Sequence, residues 1–148
     1  MNKKMKRILL VEDTPSEMER AENLLRSKGL EVITAGRYDQ GSSILSKYKA
    51  FGNNEDFPKE EKVDGVLTDL FLESNRPYGV VLALTAKEMG LPAVICTDSY
   101  HHDNDATEVM SRIASVAKIP YVESIPEERE KDWDKAYEEL ERLAKELV

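Results

Sequence analysis

The chain has 148 residues, 41% of them hydrophobic, which is enough length and apolar content for one domain with its own core. Lys and Arg number 21 against 29 Asp and Glu, a net charge of −8 that argues against a nucleic-acid or anionic-membrane binder, because both need a basic face. A single cysteine excludes an internal disulfide and a cysteine-built zinc cluster. No apolar run approaches the roughly 20 residues of a membrane span. The basic start Met1 to Arg7 is followed by too short an apolar run, Ile8 to Val11, to be a signal peptide, so a cytoplasmic protein is expected.

Short apolar runs alternate with amphipathic stretches along the whole chain. Arg7 to Val11 has no polar alternation and predicts a strand covered on both faces. Thr14 and Glu17 have capping-box spacing, with Pro15 suited to the first helical turn. Met18, Ala21, Leu24 and Leu25 form the inward stripe of that helix, and Gly29 stops it. Glu31 to Ala35 predicts a second strand. A helix over Tyr38 to Tyr48 follows, weakened by Gly41, Ser42 and Ser43, and Phe51 to Lys62 reads as an exposed loop. Val63 to Phe71 predicts the third strand, Val80 to Met89 a helix ended by Gly90, and Ala93 to Thr97 a fourth buried strand. Asn104 or Asp105 caps the next helix, whose apolar face is expected to be Val109, Met110, Ile113 and Val116. Ile119 to Glu123 is a short fifth strand, and Pro126 is expected to open a last helix with the stripe Trp133, Ala136, Tyr137, Leu140, Leu143, Ala144 and Leu147. Strict alternation with right-handed crossovers predicts an α/β fold: a doubly wound, five-stranded parallel sheet with helices on both faces.

In such a sheet, ligands bind beyond the carboxyl ends of the strands. The first strand ends in Glu12-Asp13, the third in Thr68-Asp69, the fourth in Thr97-Asp98 and the fifth in Glu123-Ser124. Four acids, with Glu123 as a candidate fifth, therefore converge on one edge. Carboxylates this close need raised pKa values, a cation or splayed geometry. An all-oxygen site with room for waters suits Mg2+. A carboxylate left free beside the metal is a candidate nucleophile toward phosphorus. Against this stands the plainer alternative that strand-end acids are solvated or cap the next helix.

Arg7-Ile8-Leu9-Leu10-Val11-Glu12-Asp13, Val63-Asp64-Gly65-Val66-Leu67-Thr68-Asp69-Leu70, Ala93-Val94-Ile95-Cys96-Thr97 and Tyr121-Val122-Glu123 together resemble a two-component response-regulator receiver domain, CheY-like and flavodoxin-like in fold. The likeness spans residues 1–148 as a single receiver-like domain without an output domain. It implies that Asp69 accepts a phosphoryl group from a histidine kinase or phosphotransfer protein. It implies that Glu12, Asp13, Asp69 and the Phe71 carbonyl hold Mg2+, and that Thr97 donates its hydroxyl to the phosphoryl group. Tyr121 would be the aromatic that turns inward when Thr97 moves, although a half-buried strand aromatic would look the same in sequence.

The departures are specific. Receivers carry a lysine three residues after the switch aromatic; here that position is Ser124, which brings no positive charge, and Lys118 lies at the wrong end of the strand. The residue after Thr97, usually small, is the anionic Asp98. Glu73 stands where the family has proline, and Gly79 comes two residues later than the family's glycine. This is the pattern of an atypical or degenerate receiver.

Other features carry less. His101-His102 with Asp103 and Asp105 has zinc or nickel ligand chemistry, but adjacent loop histidines usually point apart and a solvated loop is expected. Cys96 reads as a small core residue, Glu127 to Glu130 as a solvated helix start, and Trp133 as packed on the sheet or the preceding loop, with a docking role as the alternative. Three functions follow. The first is a stand-alone receiver module in phosphorelay signalling, a phosphoacceptor and not an enzyme, with at most an autophosphatase activity. It would act through a downstream protein target, as a monomer or weak homodimer, with no nucleic acid or membrane. The second, favoured by Ser124 and Asp98, is a pseudo-receiver that binds partners independently of phosphorylation. The third is a metal-dependent phosphohydrolase, disfavoured because Leu70 and Phe71 follow Asp69 where such enzymes carry a second Asp.

Overall fold

The computed structural model describes residues 4–51, 55–73, 76–98, 104–124 and 130–146. Five strands alternate with five α-helices: β1 Arg7–Val11, α1 Pro15–Ser27, β2 Glu31–Ala35, α2 Tyr38–Phe51, β3 Gly65–Thr68, α3 Tyr78–Glu88, β4 Ala93–Thr97, α4 Asn104–Val116, β5 Tyr121–Glu123 and α5 Trp133–Glu146. All strand pairs are parallel, in the order β2-β1-β3-β4-β5. The predicted doubly wound sheet is therefore the observed one.

Period-two alternation sorts each strand between two cores. Leu9, Val11, Val66 and Ile95 face α2, α3 and α4 through Leu45, Val80, Leu82, Ala83, Ala86 and Ala114. Ile8, Leu10, Leu67, Val94 and Cys96 face α1 and α5 through Ala21, Leu25, Trp133, Ala136 and Leu140. Each fully buried Leu or Ile contributes roughly 2 kcal/mol of transfer free energy. No helix among the described residues is long and apolar enough to cross a membrane.

Three expectations change. The stretch 51–62 is not all exposed loop: Phe57 is buried, edge-on to Tyr48 at 6.0 Å between ring centroids, beside a short 3-10 turn at Lys59–Glu61. The α4 face is rotated from the predicted one. Thr107 and Ala114 are buried, whereas Val109, Ile113 and Val116 are exposed. The inward face of α4 thus runs through Thr107 and Ala114, and its larger aliphatics face outward. Finally, α5 begins at Trp133 and not at Pro126. Asp132 caps it, its Oδ1 accepting the Lys135 N–H at 3.0 Å and its carbonyl the Ala136 N–H at 3.1 Å. Residues 130–132 are thus left as a connector ahead of the helix. His101, His102, Asp103 and the Pro126–Arg129 stretch lie outside the described residues.

Candidate functional site

Strand register brings the acids together. Val11 pairs with Thr68, and the Asp69 N–H donates to the Val11 carbonyl at 2.9 Å. Glu12 and Asp69, each one residue past its strand, so stand side by side where the strand order reverses. Glu12, Asp13 and Asp69 each offer a carboxylate oxygen within 4.8 Å of the others, the one such group among the described residues. Asp98 and Glu123 lie at neighbouring strand ends but outside that group. Glu12 and Asp69 are 1% and 3% exposed, while Asp13 is exposed. An all-oxygen trio open to solvent on one side fits a hydrated Mg2+.

A buried cation completes the cluster. Lys131, 6% exposed, donates from Nζ to Glu12 Oε1 and lies 3.0 Å from Asp69 Oδ1. It comes from the connector before α5, seven residues past Ser124. Glu12 Oε2 accepts the Asp13 and Thr14 N–H groups at 2.9 and 3.3 Å. Burial, then the Asp69 charge, pushes Glu12 up to about 9. Asp69 is raised as well, chiefly by burial and against the pull of Lys131. Two buried carboxyls this close behave as a pair that keeps one proton at neutral pH. Burial opposes the charge on Lys131, but Asp69 and Glu12 outweigh it and hold the ammonium above its ordinary range.

The loop after Asp69 is closed by an antiparallel bridge between Leu72 and Arg76. Leu72 and Arg76 exchange backbone hydrogen bonds at 2.8 and 3.0 Å, and Glu73 adopts φ 51°. The Glu73 N–H donates to Asp13 Oδ2 at 3.2 Å, and Glu73 Oε1 accepts the Tyr38 N–H at 3.1 Å. Glu73 thereby ties the loop to both Asp13 and α2. Phe71 is buried two residues past Asp69. Gly79 then passes directly over the Asp69 backbone, its N–H bonded to the Leu70 carbonyl at 3.0 Å.

The other edge of the site is made of hydroxyls. The Thr97 carbonyl accepts the Ser124 N–H at 3.1 Å. Thr97 Oγ1, Ser124 Oγ and the Tyr121 hydroxyl are buried with no hydrogen-bond partner among the described residues. Unpaired buried hydroxyls are costly unless something is there to receive them. Burial, with Glu123 and Asp69 adding, raises the Tyr121 hydroxyl above its ordinary range. Burial also pushes the Cys96 thiol well up, as suits an inert core residue. Asp98 is half-buried beside Thr97.

Lys131 is the residue that sequence reasoning missed. Read as part of a helix starting at Pro126, it sits four residues after Glu127 and looks like one half of a surface ion pair. The available signal was the stripe itself: its first member is Trp133, where α5 begins, so nothing in it calls for helix before that residue, and Lys131 stands just ahead of it flanked by Glu130 and Asp132.

No family model and no curated protein matches the chain. Solved structures do. A CheY-like response regulator receiver domain protein from Methanospirillum hungatei JF-1 aligns with a TM-score of 0.65 at 18% identity, covering 97% of each chain. A response regulator receiver protein from Sinorhizobium medicae WSM419 gives a TM-score of 0.66 at 18% identity, again over 97% of each chain. The response regulator protein TrrA from Thermotoga maritima, solved in complex with Mg2+-BeF, gives 0.57 at 24% identity over 94% of this chain and 99% of its own. The chain has the fold of response-regulator receiver domains.

Proposed function

We propose that this protein is a receiver module of phosphorelay signalling, a signalling protein and not a conventional enzyme, that accepts a phosphoryl group on Asp69. The carrying observation is the convergence of the Glu12, Asp13 and Asp69 carboxylates within 4.8 Å at the strand-order switch point. Glu12, Asp13 and Asp69, with the Phe71 carbonyl as the expected further ligand, would hold Mg2+. Bound there, the ion neutralises the oxygens of the arriving phosphoryl group.

The chain's own residues do the rest. An Asp69 carboxylate oxygen attacks phosphorus, the new O–P bond forms, and the bond from phosphorus to the donor's imidazole nitrogen breaks. Lys131 balances the charge that the phosphoryl group adds. Thr97 and Ser124 each have a hydroxyl to donate to its oxygens, and Tyr121, on the neighbouring strand opposite Ile95, would be the residue that registers the change. The absence of charge at Ser124 favoured a pseudo-receiver; Lys131 offsets that absence and supports the phosphoacceptor reading. The donor is a histidine kinase or phosphotransfer protein, and the exposed Val109, Ile113 and Val116 of α4 suit a downstream protein target.

Incubation with acetyl phosphate and Mg2+ should add one phosphoryl group to the intact mass, and Asp69→Asn should add none. Equal labelling of the variant, or no labelling of the wild type at any Mg2+ concentration, would overturn the proposal.

A further inference from the structure

A lysine carried on a strand end is aimed by the sheet. Lys131 is carried on a connector, and its aim has to come from elsewhere. The source is α1. Glu17 Oε2 accepts both the Lys131 backbone N–H at 3.2 Å and the Trp133 Nε1–H at 3.1 Å. Glu17 Oε1 accepts from Arg20 Nη1. Arg20 Nη2 in turn reaches the Lys131 carbonyl at 3.4 Å and the Glu130 carboxylate at 3.3 Å. Residues 130–133 are therefore gripped on both sides of the Lys131 peptide by two residues one helical turn apart. Thr14 makes no side-chain cap to α1. Glu17, predicted as the return half of a capping box, is committed to the connector instead.

We propose that Glu17 is a positioning residue that delivers Lys131 to the Glu12–Asp69 carboxyl pair, with Trp133 as the second anchor of the same strap. Trp133 is 2% exposed and its ring lies 5.8 Å from Lys131 Nζ, so the strap is fixed from the core side as well. The Asp132 cap prevents α5 from extending back and drawing Lys131 out of the site. One residue on α1 thus sets the charge balance at an acceptor on β3. The consequence for phosphoryl transfer rests on the receiver reading; the delivery of Lys131 does not.

The test uses Mg2+ itself as the probe. An ammonium already paired with Glu12 and Asp69 competes with any cation for those oxygens, so Lys131→Met should tighten Mg2+ binding, measured by calorimetry at alkaline pH where protons compete least for the pair, on the order of tenfold. Glu17→Ala should tighten it in the same direction, by about threefold or more. Glu17→Gln keeps an acceptor oxygen for Lys131 and Trp133 and should stay within about twofold of wild type. The double variant Glu17→Ala/Lys131→Met should match Lys131→Met alone. A merely destabilising change would weaken binding, not tighten it. Should Glu17→Ala fail to fold, Glu17→Asp, one methylene too short to hold both donors, should show the tightening. Wild-type affinity in Lys131→Met or in the folded Glu17 variant, or effects that multiply in the double variant, would overturn the proposal. These arms read out without a phosphodonor, so a failure to take up phosphate would sink the receiver reading and leave them decisive.

Discussion

Gly79→Ala should be the most damaging glycine-to-alanine change among the described residues. An alanine Cβ at this position would lie 1.7 Å from the Asp69 carbonyl oxygen, 2.7 Å from its carbonyl carbon and 2.9 Å from the Leu70 Cα. All three neighbours are backbone, so no side chain can rotate away. Relief requires moving either the start of α3 or the Asp69 end of β3, and both are tied by the Gly79 N–H bond to Leu70 and the Asp69 N–H bond to Val11. Overpacking against backbone should cost about 3 kcal/mol or more. For a chain of this size that lowers Tm by roughly 10 °C. The same displacement should impair Mg2+ binding, since Asp69 moves with its carbonyl. Thermal melts decide it: a variant melting within about 2 °C of wild type would show that the close passage is not present in solution.

The second large effect is on pH. The Glu12–Asp69 pair holds a proton that the unfolded chain gives up near 4.5, with Glu12 raised to about 9 in the folded state. The sign follows from linkage: the folded state binds more protons between these values, so stability falls as pH rises across them. Metal-free protein should therefore be most stable below about 4.5, as far as this pair is concerned, and lose that contribution toward pH 9. Binding Mg2+ at the same carboxyls releases the proton, so affinity should climb with pH by up to about tenfold per unit until the pair is ionised. Titrations at several pH values, with melts in chelator alongside, check both slopes. A flat affinity profile, or metal-free stability rising over the same range, would place the proton elsewhere.

Much of the fold was legible because the strands are short, apolar and evenly spaced, and helix stripes between them point to both faces. Leu9 against Leu10 already separates the two cores. The acidic pair after β1 and Asp69 after β3 were legible for the same reason: strand ends in a parallel sheet share one edge. What was hidden depended on chain geometry that periodicity does not encode. The α4 valines satisfy a helical stripe, yet the buried side of α4 carries Thr107 and Ala114, which an apolar-periodicity reading does not single out. The start of α5 was obscured because Pro126 and its acids imitate a helix N-terminus. That misplacement concealed Lys131, whose role depends on contacts to α1 more than a hundred residues earlier. Glu17 was concealed in turn by a local motif that fitted it equally well.

Whether Glu12, Asp13 and Asp69 act as one Mg2+ site is decided by calorimetric titration of Mg2+ into the wild type, Asp13→Asn and Asp69→Asn. One ion should bind per wild-type chain, and each variant should lose at least about tenfold in affinity, because each removes a charged oxygen ligand. Variants that bind like the wild type, or a wild type that binds no ion at all, would contradict it.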